Sequence, residues 1–189
     1  MADHKKRFAR WRKKLPKHTA YLVEQVLTRI VPEFEQRGFI WLPVSKDNDD
    51  SVAVAINTIV LQDRTNAEWP TVEIMFDKRA RAWFSIRFSV LPELCKRLTN
   101  SGYIEISRDK AMYIEGPAYF SLEKGKYSDE RDSEFGYDWL NLFTAPHRII
   151  DHIRFFFSPK QFLDSEIEKA INLLPLLFKL FDNGIPKAW

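Results

Sequence analysis

Several ingredients are scarce in this chain of 189 residues, and each scarcity removes a class of explanation. A single cysteine, Cys95, rules out any disulfide within the chain, so stability must come from packing and a reducing compartment is expected. Only six glycines occur, no two closer than nine residues, so neither GxGxxG nor GxxxxGK[ST] can be written and the usual phosphate cradles of nucleotide enzymes are excluded. The longest apolar stretch, "INLLPLLFKLF" (171–181), is about half the ~20 residues that span a bilayer and contains Lys179, so no membrane span is expected. The N-terminus carries no apolar h-region behind its basic residues, which points to a cytoplasmic protein rather than a secreted one.

Charge and aromatic residues are plentiful by contrast. Fifteen Phe and six Trp supply material for a core, and a chain of this length buries roughly 70% of its unfolded surface without cofactor or metal staples. Residues 1–17 hold eight Lys/Arg against one acid, Asp3, while the remainder carries a net charge of −4. The sequence pI near 8.9 therefore describes a basic head on a mildly acidic body, not a basic face spread over a fold.

The hydrophobic period divides the chain. After Pro16, Leu22, Val26, Ile30 and Phe34 recur every four residues until Gly38, which predicts an amphipathic helix with a left-handed stop and a kink near Thr28 caused by Pro32. Period two then takes over in "FIWLP" (39–43) and "VAVAINTIVL" (52–61), with the polar loop "SKDNDD" between them. Val72, Ile74 and Phe76 alternate with Glu73, Met75 and Asp77, and Phe84, Ile86, Phe88 and Val90 with Trp83, Ser85, Arg87 and Ser89, which predicts a hairpin through "DKRAR". Such alternation predicts an antiparallel sheet covered on one face and wet on the other. "LPELCKRL" reads as a short helix, followed by strands at 103–107, 111–115 and 118–123, with Gly116-Pro117 between the last two. Helical period returns in "APHRIIDHIRFFF". Ser158-Pro159-Lys160-Gln161 then opens a last helix whose stripe is Leu163, Ile167, Ile171, Leu174, Phe178 and Phe181, with a kink expected at Pro175 and a stop at Gly184 and Pro186. The predicted architecture is α+β: an antiparallel β-sheet with helices packed on one face, in one domain over 17–189, preceded by a basic helical extension, 1–16, that continues into the first helix.

"VPEFEQRGFIWL", "INTIVLQDR", the hairpin of "VEIMFD" and "FSIRFSVLPE", and "NLLPLLFKLFDNGIPKAW" resemble the layout of a small bacterial α+β domain family of unknown function. The resemblance covers roughly 24–90 and 160–189. It implies a helix ending in glycine, an antiparallel sheet and a closing helix, and it brings immunity proteins that neutralise toxins into view by analogy. The family defines no catalytic residues, so none carry over.

Side chains capable of chemistry are sparse. His147 and Asp151 share a helix face in "HRIIDH", but His152 lies about 140° from His147 around a helix, so the three do not converge on one metal ion. Cys95 lies between leucines, the setting of a core thiol. The acidic runs 47–50 and 129–134 lack a calcium-loop pattern and read as solvated loops. Glu73 is followed by Ile74 and Met75, not by the Glu/Asp-x-Lys of a nuclease strand. Glu73, Glu105 and Glu115 fall on expected strands, where two meeting in a pocket would make a carboxylate acid–base pair. No cofactor and no metal are expected.

The basic head, "HKKRFARWRKK", is the strongest compositional signal. Phe8, Trp11 and Leu15 have the 3,4 spacing of a buried stripe, which makes the segment a docked helix with solvated charges. It also has the makings of a contact surface for an acidic protein, a nucleic-acid arm or a lipid-facing helix, with Lys6, Arg7, Arg10, Trp11 and Lys14 as the candidate binding residues. The expected function is non-catalytic binding of another macromolecule. A protein is the leading partner, in an immunity-type role against a toxin or in an adaptor role, and nucleic acid bound through residues 4–14 is the alternative.

Overall fold

The computed structural model of the chain describes residues 2–42, 56–66, 69–77, 81–90, 94–99, 102–107, 119–121, 126–128, 133–136 and 149–183, with backbone pairing alone for the strands beyond residue 90. The polar loop at 45–50, residues 52–55, the expected strand at 111–115, Gly116-Pro117, His147, Gly184 and Pro186 lie outside the described residues.

The basic head forms α1, Ala2–Arg12. It does not run on into the next helix as expected. Pro16 takes φ −57° and ψ 153°, outside the helical region, and the turn closes with Lys14 and Leu15 donating to the carbonyls of Trp11 and Arg12. A continuous helical rod follows, made of α2 (Lys17–Gln25), a π-helical turn (Val26–Ile30) and α3 (Val31–Glu35). The π turn is the form that the expected disturbance near Thr28 takes. Pro32 has no N–H for the Thr28 carbonyl and its ring needs room there, so the turn widens until the Val31 N–H reaches Val26, five residues back. At the end of the rod Gly38 adopts φ +88°, Gly38 N–H donates to Glu35 and Phe39 N–H to Phe34, and the Phe34 and Phe39 rings meet edge to face at 5.5 Å. This is a Schellman stop with its hydrophobic contact, and it aims the chain into the sheet.

Five antiparallel strands form the main sheet in the order β1 (Ile40–Trp41), β2 (Thr58–Gln62), β3 (Pro70–Phe76), β4 (Trp83–Val90) and β9 (Ser133–Gly136). Two separate pairs intervene in sequence: β5 (Leu94–Thr99) with β6 (Gly102–Ser107), and β7 (Tyr119–Ser121) with β8 (Lys126–Ser128). The chain closes with α4 (Ile149–Phe157) and α5 (Pro159–Asn183). Ile59, Leu61, Val72, Ile74, Phe76, Phe84, Ile86 and Phe88 form one sheet face and share a core with Leu22, Val26, Ile30 and Phe34 of the rod and Leu163, Ile167, Leu174 and Phe178 of α5. The fold is α+β, with its helices on this face. Tyr21 donates to Asp164, Arg29 pairs with Glu168 and Arg37 with Asp182, so the rod and α5 lie side by side and run in the same direction. α5 continues through Pro175 to Asn183.

Three expectations fail, each through a long-range contact. Leu94–Thr99 is a strand, not a helix, with Cys95 opposite Ile106. The β-rich partner just downstream outweighs the local helical spacing. Ser133–Gly136, taken for part of a solvated acidic loop, is an edge strand with Glu134 opposite Ser85. The second sheet face is not wet: Thr58, Val60, Gln62, Thr71, Glu73 and Ser85 are all buried. A polar strand face reads as solvent-exposed because polar side chains usually are, yet hydrogen bonds such as Gln62 to Thr71 permit burial, although Ser85 Oγ has no partner among the described residues.

Candidate functional site

The two sides of α1 have been put to different uses. Phe8 is 3% exposed, with ring centroids 5.3 Å from Trp11, 5.6 Å from Trp41 and 6.1 Å from Phe76. Trp11 lies 5.9 Å from Phe76, and with Leu15 it packs against the core. The 8-11-15 stripe thus clamps α1 over the end of the sheet where Phe76 and Phe84 stand, and edge strand β1 contributes Trp41 to the same aromatic group. A tilted or edge-on cluster of this kind resists rotation of the helix about its axis.

The opposite side is cationic. Lys6, Arg7 and Arg10 are exposed on α1, and Lys14 is exposed in the turn that follows. Two other head cations are consumed internally: the Lys5 ammonium lies 4.9 Å from the centre of the Trp41 ring, and Arg12 forms an ion pair with Glu24 of α2. Among the described residues, Lys6, Arg7, Arg10 and Lys14 have no carboxylate partner. Four of the five residues singled out in the sequence therefore share an open cationic surface. Trp11 belongs to the packing side, so its ring is not available to stack on a base. Chemically, the surface offers positive charge to carboxylates or phosphates.

The remaining candidates are dispersed. Glu73 is buried on β3 opposite Arg87 of β4, Glu105 lies on β6 in a different sheet, and Glu115 is outside the described residues. Asp151 is half-buried on α4, and neither His147 nor the side chain of His152 is described. No group of three or more His, Cys, Asp or Glu among the described residues is placed to hold a metal ion. At the helix contact, the hydrogen bond to Asp164, with burial and the Asp164 charge adding to it, holds the Tyr21 hydroxyl above the usual tyrosine range. The Arg29 charge opposes the shift.

Two features escaped the sequence reading. A polar chain, buried at Gln62 and Thr71, runs from the second sheet face to its rim: Arg64 Nε donates to Gln62 Oε1 (2.9 Å), Gln62 Nε2 to Thr71 Oγ1 (2.9 Å), and Thr71 Oγ1 to the Trp69 carbonyl (3.0 Å). Nothing in a linear alternation of Gln, Thr and Glu announces such a chain. The other is the outer face of α4, where large apolar side chains are exposed; the run Phe155-Phe156-Phe157 was the available signal, since a helix apolar on every side cannot bury all of them against one core.

Comparison with family models, curated proteins and solved structures gives no match for this chain.

Proposed function

We propose that this chain is a non-catalytic binding protein whose partner is another protein with an acidic surface, in an immunity-type role against a toxin or an adaptor role, working in the cytoplasm. The observation that carries the reading is the division of α1: Phe8 is buried in the core and Trp11 packs against it, while Lys6, Arg7 and Arg10 are exposed with no carboxylate partner among the described residues. A charge array on a helix held by its opposite face loses little conformational freedom on binding, the condition under which electrostatic complementarity contributes to rate and specificity. Carboxylates of a folded partner suit it better than nucleic acid does. The two aromatics of the head pack toward the body, Phe8 buried and Trp11 half-buried, and so are poorly placed to stack on bases. The resemblance to the bacterial family with immunity-type members supports the same direction by analogy.

Isothermal titration of the full chain with the product of the open reading frame beside its gene tests the proposal. Saturable binding is expected, and the Lys6→Glu/Arg7→Glu/Arg10→Glu/Lys14→Glu variant should lose it while keeping the parent melting temperature. If instead the chain binds duplex or single-stranded DNA with affinity that collapses between about 50 and about 200 mM salt, and Arg7→Ala/Arg10→Ala/Lys14→Ala abolishes that, the nucleic-acid alternative replaces it.

A further inference from the structure

On α4, Phe155 turns inward, its ring 5.8 Å from Phe162 and 5.7 Å from His18, and ties the helix to the body. Four other large apolar side chains of this helix point away. Phe156 is 81% exposed, Phe157 77%, Ile150 66% and Ile153 53%, and the Phe156 and Phe157 rings contact each other edge to face at 5.4 Å. Such exposure means that the rings stand beyond the surrounding surface instead of lining a groove. Single exposed apolar residues need no explanation, but four on one nine-residue helix form a patch of the sort that marks an interaction site.

Among the described residues, the fully exposed charges on α4 and on the two helix starts next to it have one sign. Arg154 lies one turn before Phe157 and is exposed. Lys160, exposed in the first turn of α5, holds its ammonium 5.1 Å from the Tyr21 ring centre. Lys17, exposed at the start of α2, precedes His18, which touches Phe155. Of the described carboxylates nearby, Asp164 accepts from Tyr21, and Asp151, beside Ile150, is half-buried. Protruding aromatics with Arg154 on the same helix and exposed lysines at the two neighbouring helix starts match an anionic bilayer surface. The rings enter the boundary between headgroups and acyl chains, and the Lys and Arg stems keep their charges at the phosphates. A protein partner would need a deep acid-rimmed pocket to receive the same protrusion, whereas a fluid interface deforms around it.

We propose that α4 is an interfacial anchor that seats the protein on anionic lipid through Ile150, Ile153, Phe156 and Phe157, with Lys17, Arg154 and Lys160 against the headgroups. It is a peripheral contact; among the described residues no helix is long and apolar enough to cross a membrane. The inference goes beyond the protein-partner reading and uses none of Lys6, Arg7, Arg10 or Lys14.

Co-sedimentation of the full chain with phosphatidylcholine vesicles, and with phosphatidylcholine–phosphatidylserine vesicles, tests it. Binding to the second and not the first is expected, weakening as salt is raised. Phe156→Asp/Phe157→Asp should lower partitioning by about a hundredfold or more, and Lys17→Glu/Lys160→Glu by more than about tenfold. These side chains are exposed, so the melting temperatures of the variants should match the parent and the loss can be assigned to the surface. Sedimentation with both vesicles alike, or undiminished binding by the double Asp variant, overturns the proposal. So does a dimer in analytical ultracentrifugation that Phe156→Asp/Phe157→Asp dissolves while no vesicle is bound, which would assign the patch to a second copy of the chain. A chain that binds its protein partner through the head but ignores both vesicles sinks this inference alone.

Discussion

On the helix-facing side of the sheet, Ile59, Ile74 and Ile86 stand in one cross-strand row and Leu61, Val72 and Phe88 in the next. On the reverse side the corresponding rows are Thr58, Met75, Ser85 and Val60, Glu73, Arg87. Both sides exclude most water, but by different means. The first is held by apolar area removed from solvent, which is non-directional and tolerates conservative swaps of similar volume. The second is held by hydrogen bonds such as Gln62 to Thr71, which are directional and expensive to leave half-made. Burial by itself thus says little about what a sheet face is made of. The comparison also separates two failure modes, loss of area on one side and orphaned polar groups on the other.

The largest effect is expected on the apolar side. Phe76→Ala removes a ring that touches Phe8, Trp11 and Phe84 at the end of the sheet, and should destabilise the fold by about 3–5 kcal/mol in urea titration. A loss below about 1 kcal/mol would mean that the cluster under α1 is not a packed part of the core.

The same contrast can be drawn within α1. Trp11→Ala should cost about 2–4 kcal/mol by loss of packing, while Arg7→Ala/Arg10→Ala on the opposite side should stay within about 0.5 kcal/mol of the parent. Equal effects of the two changes would break the division between packing side and contact side on which the proposed function rests.

On the polar side of the sheet, Thr71→Val keeps the shape but strands the Gln62 amide, and about 1–3 kcal/mol should be lost. Adding Gln62→Leu removes the orphan, so the double variant should be less destabilised than the sum of the single ones. Additivity in that double-mutant cycle would show that the hydrogen bond does not hold this face.

Among the losses of a packed or hydrogen-bonded contact, the smallest belongs to the helix pair that covers the apolar side. Tyr21 is half-open to water, so Tyr21→Phe should cost below about 1 kcal/mol. Its sign with pH is fixed. A tyrosine whose pKa is raised on folding contributes its stability in full below the unfolded value near 10 and loses it as pH climbs through the folded value. The difference between parent and Tyr21→Phe should therefore be flat from neutral pH to about 9 and shrink above about 10; a difference that grew with alkalinity would contradict the Asp164 hydrogen bond.

Much of the frame was readable in advance where the controlling physics is local. Leu22, Val26, Ile30 and Phe34 are all fully buried, as a four-residue spacing of large apolar side chains requires, and Gly38 stops the rod because only glycine takes a left-handed backbone without penalty. Pro32 located the irregularity near Thr28, although not its π-helical form. The alternation over 72–76 and 84–90 predicted the hairpin, and the register confirms its pairing from Pro70 with Val90 to Phe76 with Phe84. The candidate site was visible as a cluster of charges. Which charges stay open was not, because Lys5 and Arg12 find Trp41 and Glu24, neither of them close in sequence.

By itself, then, the sequence determined the helical stripes, the stops, the central hairpin and the charge of the head, since each depends on residues within a few positions of one another. The tertiary structure decided the rest. It made Leu94–Thr99 a strand by supplying β6, drew Ser133–Gly136 to the edge of β4, buried the polar sheet face and left Phe156 and Phe157 outside. Each of those outcomes depends on a partner brought up by folding. A one-dimensional period registers which side chains are alike, not which surfaces will meet.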